Sequence, residues 1–172
     1  MSDGLVLFDT AIGRCGLAWN DLGVAAVQLP ERRDPLTRAR LRRRVPQATE
    51  RPAPHEVEQA VEGMVSLLGG ERVDLGFVEL DLHGVPPFHR RVYEAARAVP
   101  AGTTTTYGEL AARVHAPRSA RAVGQAMAHN PFPIVVPCHR VLSAGGRVGG
   151  FSADGGLTTK LRMLAIEGVV LT

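Results

Sequence analysis

Between Leu5 and Val27 the chain alternates short apolar runs with turn signals. The runs are Leu5-Val6-Leu7-Phe8, Gly16-Leu17-Ala18-Trp19 and Val24-Ala25-Ala26-Val27, divided at Ile12-Gly13 and Asn20-Asp21. This pattern predicts an antiparallel meander. Asp34-Pro35 predicts a helix start, with Asp34 as N-cap and Pro35 in the first turn, running to about Val45. A polar connector with prolines, Pro46 to Pro54, leads to a second helix over 55–68 that Gly69-Gly70 ends. The alternation Phe77-Val78-Glu79-Leu80-Asp81-Leu82 predicts a strand returning to the meander.

From Pro86 the pattern turns helical. Apolar positions at Val92, Ala95, Ala96 and Val99 predict an amphipathic helix over 88–99, stopped by Pro100 and Gly102. Thr106 with Glu109 is a capping box that opens a helix to Val114. Ser119 stands as a cap before a helix over 120–128, and the two short helices across 115–118 form a helix-turn-helix. Ile134-Val135-Val136 predicts a short buried strand stopped at Pro137. A last helix over 157–167 has Leu161, Leu164 and Ala165 as its inner stripe. The fold class is therefore α/β in the α+β sense, a small antiparallel sheet with helices followed by a mostly helical part. The boundary is expected near residue 85, giving a structural unit over 1–85 and a second unit over 86–172.

The 172 residues suffice for a real core, and no apolar run reaches the length of a membrane span. The N-terminus shows no secretory pattern, and two cysteines make no disulfide framework, which together predict a reducing, cytoplasmic setting. Net charge is +3 and nearly all of the positive charge is arginine; Lys160 is the only lysine. Arginine suits phosphate contacts, but so mild an excess favours nucleic acid only weakly. The Arg38, Arg40, Arg42, Arg43 and Arg44 run reads first as a solvated helix face. Cys15, His55 and His83 are too scattered to make a zinc site, so no metal and no cofactor are expected.

The chemistry concentrates in Pro137-Cys138-His139-Arg140. A thiol beside an imidazole and a guanidinium is the setting that favours a thiolate, although a lone buried cysteine is commonly a small hydrophobe. Asn130-Pro131-Phe132-Pro133 rigidifies the entry, and the glycine-rich run after Ala144 lets backbone approach a ligand. In the helix-turn-helix, the second helix starts with Ser119 and Arg121, and the small Ala120, Ala122 and Gly124 leave room for a phosphate backbone, an arrangement that also serves tight helix packing.

Pro137-Cys138-His139-Arg140, preceded by Asn130-Pro131 and Arg121-Ala122-Val123-Gly124, resembles the O6-alkylguanine-DNA alkyltransferase family over about residues 88–168. The resemblance implies a protein that flips O6-alkylguanine out of double-stranded DNA and takes the alkyl group once, irreversibly, on Cys138. O4-alkylthymine is an open second substrate. It implies that His139 acts as base through a water, that Glu167 orients it, that Asn130 ties the surrounding turns and that Tyr107 donates toward the guanine and the 3′ phosphate. Arg121 is the implied finger filling the stack, with Ser119, Ala122, Gly124 and Tyr107 on the DNA. Pro133, Val141, Phe151, Ser152 and Asp154 are the implied pocket, and Arg140 a brace. The loop 151–157 is two residues longer than the usual family run, which leaves open whether Ser152 or Asp154 makes the contact. The expected partner is damaged duplex DNA, met by a monomer with no membrane association, and cooperative binding along the DNA is left open. The rival readings are a non-catalytic damage binder, which would lack the cysteine, a thiol-sensing helix-turn-helix regulator and a cysteine hydrolase.

Overall fold

The computed structural model describes residues 3–148 and 156–171. Strands β1 (Gly4–Thr10), β2 (Gly13–Asn20) and β3 (Gly23–Gln28) form the antiparallel meander that the apolar runs predict. Helix α1 (Asp34–Arg44) follows, then β4 (Thr49–Glu50), α2 (His55–Leu68) and α3 (Pro87–Arg97). Beyond these come β5 (Thr105–Thr106), α4 (Tyr107–Arg113), α5 (Ala120–Ala128), a 3-10 turn at Cys138–Arg140, β6 (Val141–Leu142) and α6 (Gly156–Ile166). The first sheet has the order β3-β2-β1-β4. Its fourth strand lies inside the polar connector and pairs parallel with β1.

Several sequence expectations are corrected. Segment 77–82 is no strand. Its backbone meets the sheet at Val24, through Val24 N–H to Glu79 O and Asp81 N–H to Val24 O, both 2.8 Å, and the Asn20 amide of β2 donates to the Asp81 carboxylate at 2.8 Å. The Arg97 guanidinium occupies the carbonyls of Leu75 and Val78, at 3.0 and 2.9 Å. Carbonyls taken by a side chain are lost to a ladder, so alternation alone was insufficient. Gly23 permits the close approach, since its φ is +133° and a Cβ there would lie 2.6 Å from Glu79 O. The N-cap of α1 is Arg33, and Asp34 sits in the first turn. Ser119 occupies the α5 N-cap position, but its hydroxyl makes no capping bond.

The arginines of α1 are largely spoken for. Arg38 pairs with Glu50 at 2.6 Å and Arg40 with Glu31 at 2.9 Å. Arg42 and Arg44 donate to Ala48 O and Ala25 O at 3.1 and 2.5 Å. These contacts fasten α1 to the sheet, in keeping with a structural rather than a ligand-binding face.

The main core runs from the sheet into the helical part without a break, taking in Trp19, Val27, Leu67, Val92, Phe132, Val136 and Met163. A backbone bond of 2.9 Å from Val27 N–H to Pro131 O joins the meander to the segment before Cys138. The sheet thus braces the loop that carries the thiol.

Candidate active site

Residues 134–136 are buried but form a turn instead of a strand. Pro131 and Pro133 lack ladder donors, and Asn130 supplies the missing partners. Its Oδ1 accepts from Phe132 N–H and its Nδ2 donates to Val136 O, both at 2.9 Å. Val136 N–H closes on Phe132 O at 2.8 Å, and Ile134 takes a φ of +77°, rare for a β-branched residue. Cys138 therefore leaves a clasped turn and enters the short 3-10 turn with His139 and Arg140, all three buried.

Helix α6 closes the site from one side. Its buried face is Lys160, Met163 and Leu164, with Glu167 just past its end, rather than Leu161, Leu164 and Ala165. Leu161 is 40% exposed, whereas Lys160 is 1% exposed. Glu167 Oε2 accepts from His139 Nε2 at 2.9 Å and from Arg140 Nη2 at 2.7 Å, while Oε1 accepts from Arg140 Nε at 2.8 Å. Arg140 also donates to Val99 O at 2.7 Å, so its fork is a brace between α3, the thiol turn and α6. With Nε2 committed to Glu167, the His139 Nδ1 atom is buried without a protein hydrogen-bond partner.

The electrostatics favour a neutral resting dyad. Burial pushes the Cys138 thiol up, partly offset by the Asn130 amide, the Lys160 charge and local backbone N–H groups. Burial pushes the His139 imidazole down, against the Glu167 interaction that raises it. A protonated thiol beside an unprotonated base is a nucleophile waiting to be deprotonated during attack. Burial would raise Glu167, but the bonds from Arg140 and His139 outweigh it and hold the carboxyl at about 2.

That depression has a testable consequence for stability. A carboxylate lowered on folding stabilises the fold above its ordinary value, and the gain is lost as pH falls through the folded value. Between pH 4.5 and about 2 the protein should lose on the order of 3 kcal/mol from this group. Denaturant unfolding across that range should show a flatter acid limb in Glu167→Gln than in the wild type. Parallel limbs would mean that the carboxylate is not held low.

Parallel pairing of β5 with β6, Thr105 to Val141 and Thr106 to Leu142, brings the start of α4 to the thiol turn. The capping box forms as the sequence predicts, with Glu109 N–H to Thr106 Oγ1 at 3.1 Å and Thr106 N–H to Glu109 Oε2 at 3.3 Å. It fixes Tyr107 as the first residue of α4, half-buried and within the field of Cys138. The first turns of α4 and α5 and the Ser143-Ala144 segment border a groove of about 550 Å³, lined in part by Tyr107, Gly108, Arg121, Gly124 and Gln125. Arg121 is exposed, and Ser119 and Ala122 flank the groove outside its lining. Val141 is fully buried and Pro133 half-buried beside the thiol turn, whereas Phe151, Ser152 and Asp154 lie outside the described residues. Sequence reasoning misses Lys160 and Tyr93. The signal for the first was its place seven residues before Glu167, two helical turns along one face. Among the described residues, no group of three or more His, Cys, Asp or Glu side chains could hold a metal ion.

Residues 87–169 match the family model described as the DNA-binding domain of 6-O-methylguanine DNA methyltransferase. The chain is 46% identical to a methylated-DNA–protein-cysteine methyltransferase of Mycolicibacterium paratuberculosis over 66% of its length and 67% of the relative's. It is 35% identical to one from Methanothermobacter thermautotrophicus over 91% of its length and 80% of the relative's. The structure superimposes on Mycobacterium tuberculosis OGT in complex with DNA with a TM-score of 0.73 and 32% identity, covering 95% of this chain and 92% of that one. With a buried thiol, a carboxylate-bound imidazole and a helix-turn-helix already in place on the same fold, the chain belongs to the methylated-DNA–protein-cysteine methyltransferase family.

Proposed function

We propose that the protein repairs DNA by direct reversal, moving the alkyl group of O6-alkylguanine in duplex DNA onto Cys138. The observation that carries this reading is the buried His139–Glu167 pair, whose Nε2 contact leaves Nδ1 without a protein partner and so supports it as the acceptor of the thiol proton. As sulfur attacks, the S–C bond forms and the C–O6 bond breaks. The thiol proton passes to Nδ1 through a bridging water and returns to the leaving guanine. Glu167 keeps Nδ1 unprotonated by accepting at Nε2 and stabilises the imidazolium that forms transiently. Tyr107 donates toward the flipped base, and the half-buried Pro133 and buried Val141 border it.

The groove at the starts of α4 and α5 receives the DNA backbone, and Arg121 fills the space that the flipped nucleotide leaves. Residues 86–172 thus perform the chemistry while residues 1–85 brace it. The working species is a monomer. Two free thiols suit a reducing, cytoplasmic setting.

The thioether product is stable and no neighbouring group among the described residues offers to cleave it, so each molecule acts once. With O6-methylguanine oligonucleotide in excess, the lesions removed should level off at one per protein molecule. Continued turnover would contradict the reading.

Gly124 gives a second test. A Cβ at this position in free protein has nothing within 4 Å, so packing does not require glycine there. In a helix interior, Gly124→Ala should stabilise the free protein by about 0.5–1 kcal/mol. If DNA backbone approaches this surface closely, the same change should weaken DNA binding several-fold. Unchanged affinity would remove Gly124 from the interface.

A further inference from the structure

Among the described residues, Lys160 is the one buried charged side chain that the relay leaves without a task. It is 1% exposed, and its Nζ donates to Val141 O at 2.9 Å. Val141 follows the thiol turn directly, and Lys160 shares a face of α6 with the relay carboxylate, two turns away. A buried ammonium ordinarily sits against a carboxylate, because an unpaired charge in the interior is costly. Glu167 is not available: Arg140 grips both its oxygens and His139 takes a further bond. No other acid pairs with Lys160 among the described residues, and the one ionisable group whose charge would favour its ammonium form is Cys138.

We propose that Lys160 is the counter-ion of the Cys138 thiolate, a positioning residue that makes the ionised sulfur tolerable inside the protein and fixes the strand after it. The inference rests on the reading of Cys138 as the alkyl acceptor. The other titratable groups around the sulfur do not supply this charge. Tyr93 from α3 and Tyr107 from α4 are neutral, and each is itself raised by burial and by the sulfur's charge. Arg140 is neutralised by Glu167. The Lys160 charge also opposes protonation of His139. Its charge therefore favours the ionised sulfur as the thiol proton leaves for His139 and speeds the return of that proton from the relay to the leaving guanine. Balance is kept: sulfur gains the alkyl carbon, guanine keeps the electron pair of the broken C–O6 bond, and one proton neutralises it.

Because Lys160 is the only lysine, the full chain labelled with carbon-13 lysine gives one side-chain signal to follow. In Cys138→Ala, which leaves Lys160 untouched, the Lys160 titration should move down by about one pH unit or more relative to the wild type. An unmoved titration would overturn the proposal. Conversely, the thiolate absorbance edge of Cys138, isolated by subtracting the Cys138→Ala spectrum, should rise by about one unit or more in Lys160→Met and stay near the wild-type value in Lys160→Arg. If Lys160→Met slows transfer with the edge unmoved, Lys160 is only a strut. If Lys160→Met does not fold, the lysine titration still decides. Failure of the underlying reading looks different: Cys138→Ala would still remove the lesion, whatever Lys160 does.

Discussion

Cys138→Ala is expected to abolish alkyl transfer, by a factor on the order of 10⁴ or more, because removing the nucleophile removes the step itself. No second thiol can substitute. Cys15 is fully buried on β2, and burial pushes its thiol to about 11 against a weak opposing bond from Thr10. The loss should be confined to chemistry. The groove proposed to receive DNA is built from the starts of α4 and α5, and phosphate contacts dominate affinity in such complexes. Filter binding or anisotropy with undamaged duplex should therefore change by no more than about twofold. The variant should also fold, since the side chain lost is small and its turn is held by Asn130 and the neighbouring prolines. Repair that persists in Cys138→Ala would mean that another residue accepts the group.

Arg121→Ala is expected to separate the cost of extruding a base from the cost of reacting with it. Arg121 is exposed at the start of α5, lines the groove, and forms no hydrogen bond or ion pair among the described residues. Its removal should therefore leave the free fold unchanged. Unstacking a nucleotide from duplex costs a few kcal/mol, and a side chain that fills the hole offsets part of it. Each ~1.4 kcal/mol lost slows the reaction about tenfold, so repair of duplex DNA should fall by one to two orders of magnitude. A free base such as O6-benzylguanine needs no extrusion. Its reaction with Cys138 should be nearly unchanged, with single-stranded substrate in between. Equal losses on duplex and free base would make Arg121 a support of the fold or pocket.

The sequence discloses those parts of this account that depend on local chemistry. Thr106 and Glu109 form their capping box because both partners lie within one helical turn. The meander follows from apolar runs whose turns are short, so register is set locally. Pro137-Cys138-His139-Arg140 marks the thiol turn because few roles gather those side chains in four residues. What the sequence conceals depends on partners far along the chain. Segment 77–82 alternates like a strand, yet Arg97 takes its neighbouring carbonyls. Ile134-Val135-Val136 has strand composition, but the Asn130 side chain, four residues upstream, bends it into a turn. The inner face of α6 breaks the hydrophobic rule outright, since Lys160 and Glu167 are buried there and Leu161 is not. A polar residue on a buried face is visible as a violation only once the neighbouring element is known.

The central claim is that Cys138 itself receives the alkyl group. Intact mass after incubation with an oligonucleotide containing O6-methylguanine tests it most directly. The mass should rise by one methyl group, about 14 Da, once per molecule, and the gain should map by peptide fragmentation to Cys138. No gain in mass while the lesion disappears, or a gain that maps to any other residue, would contradict it.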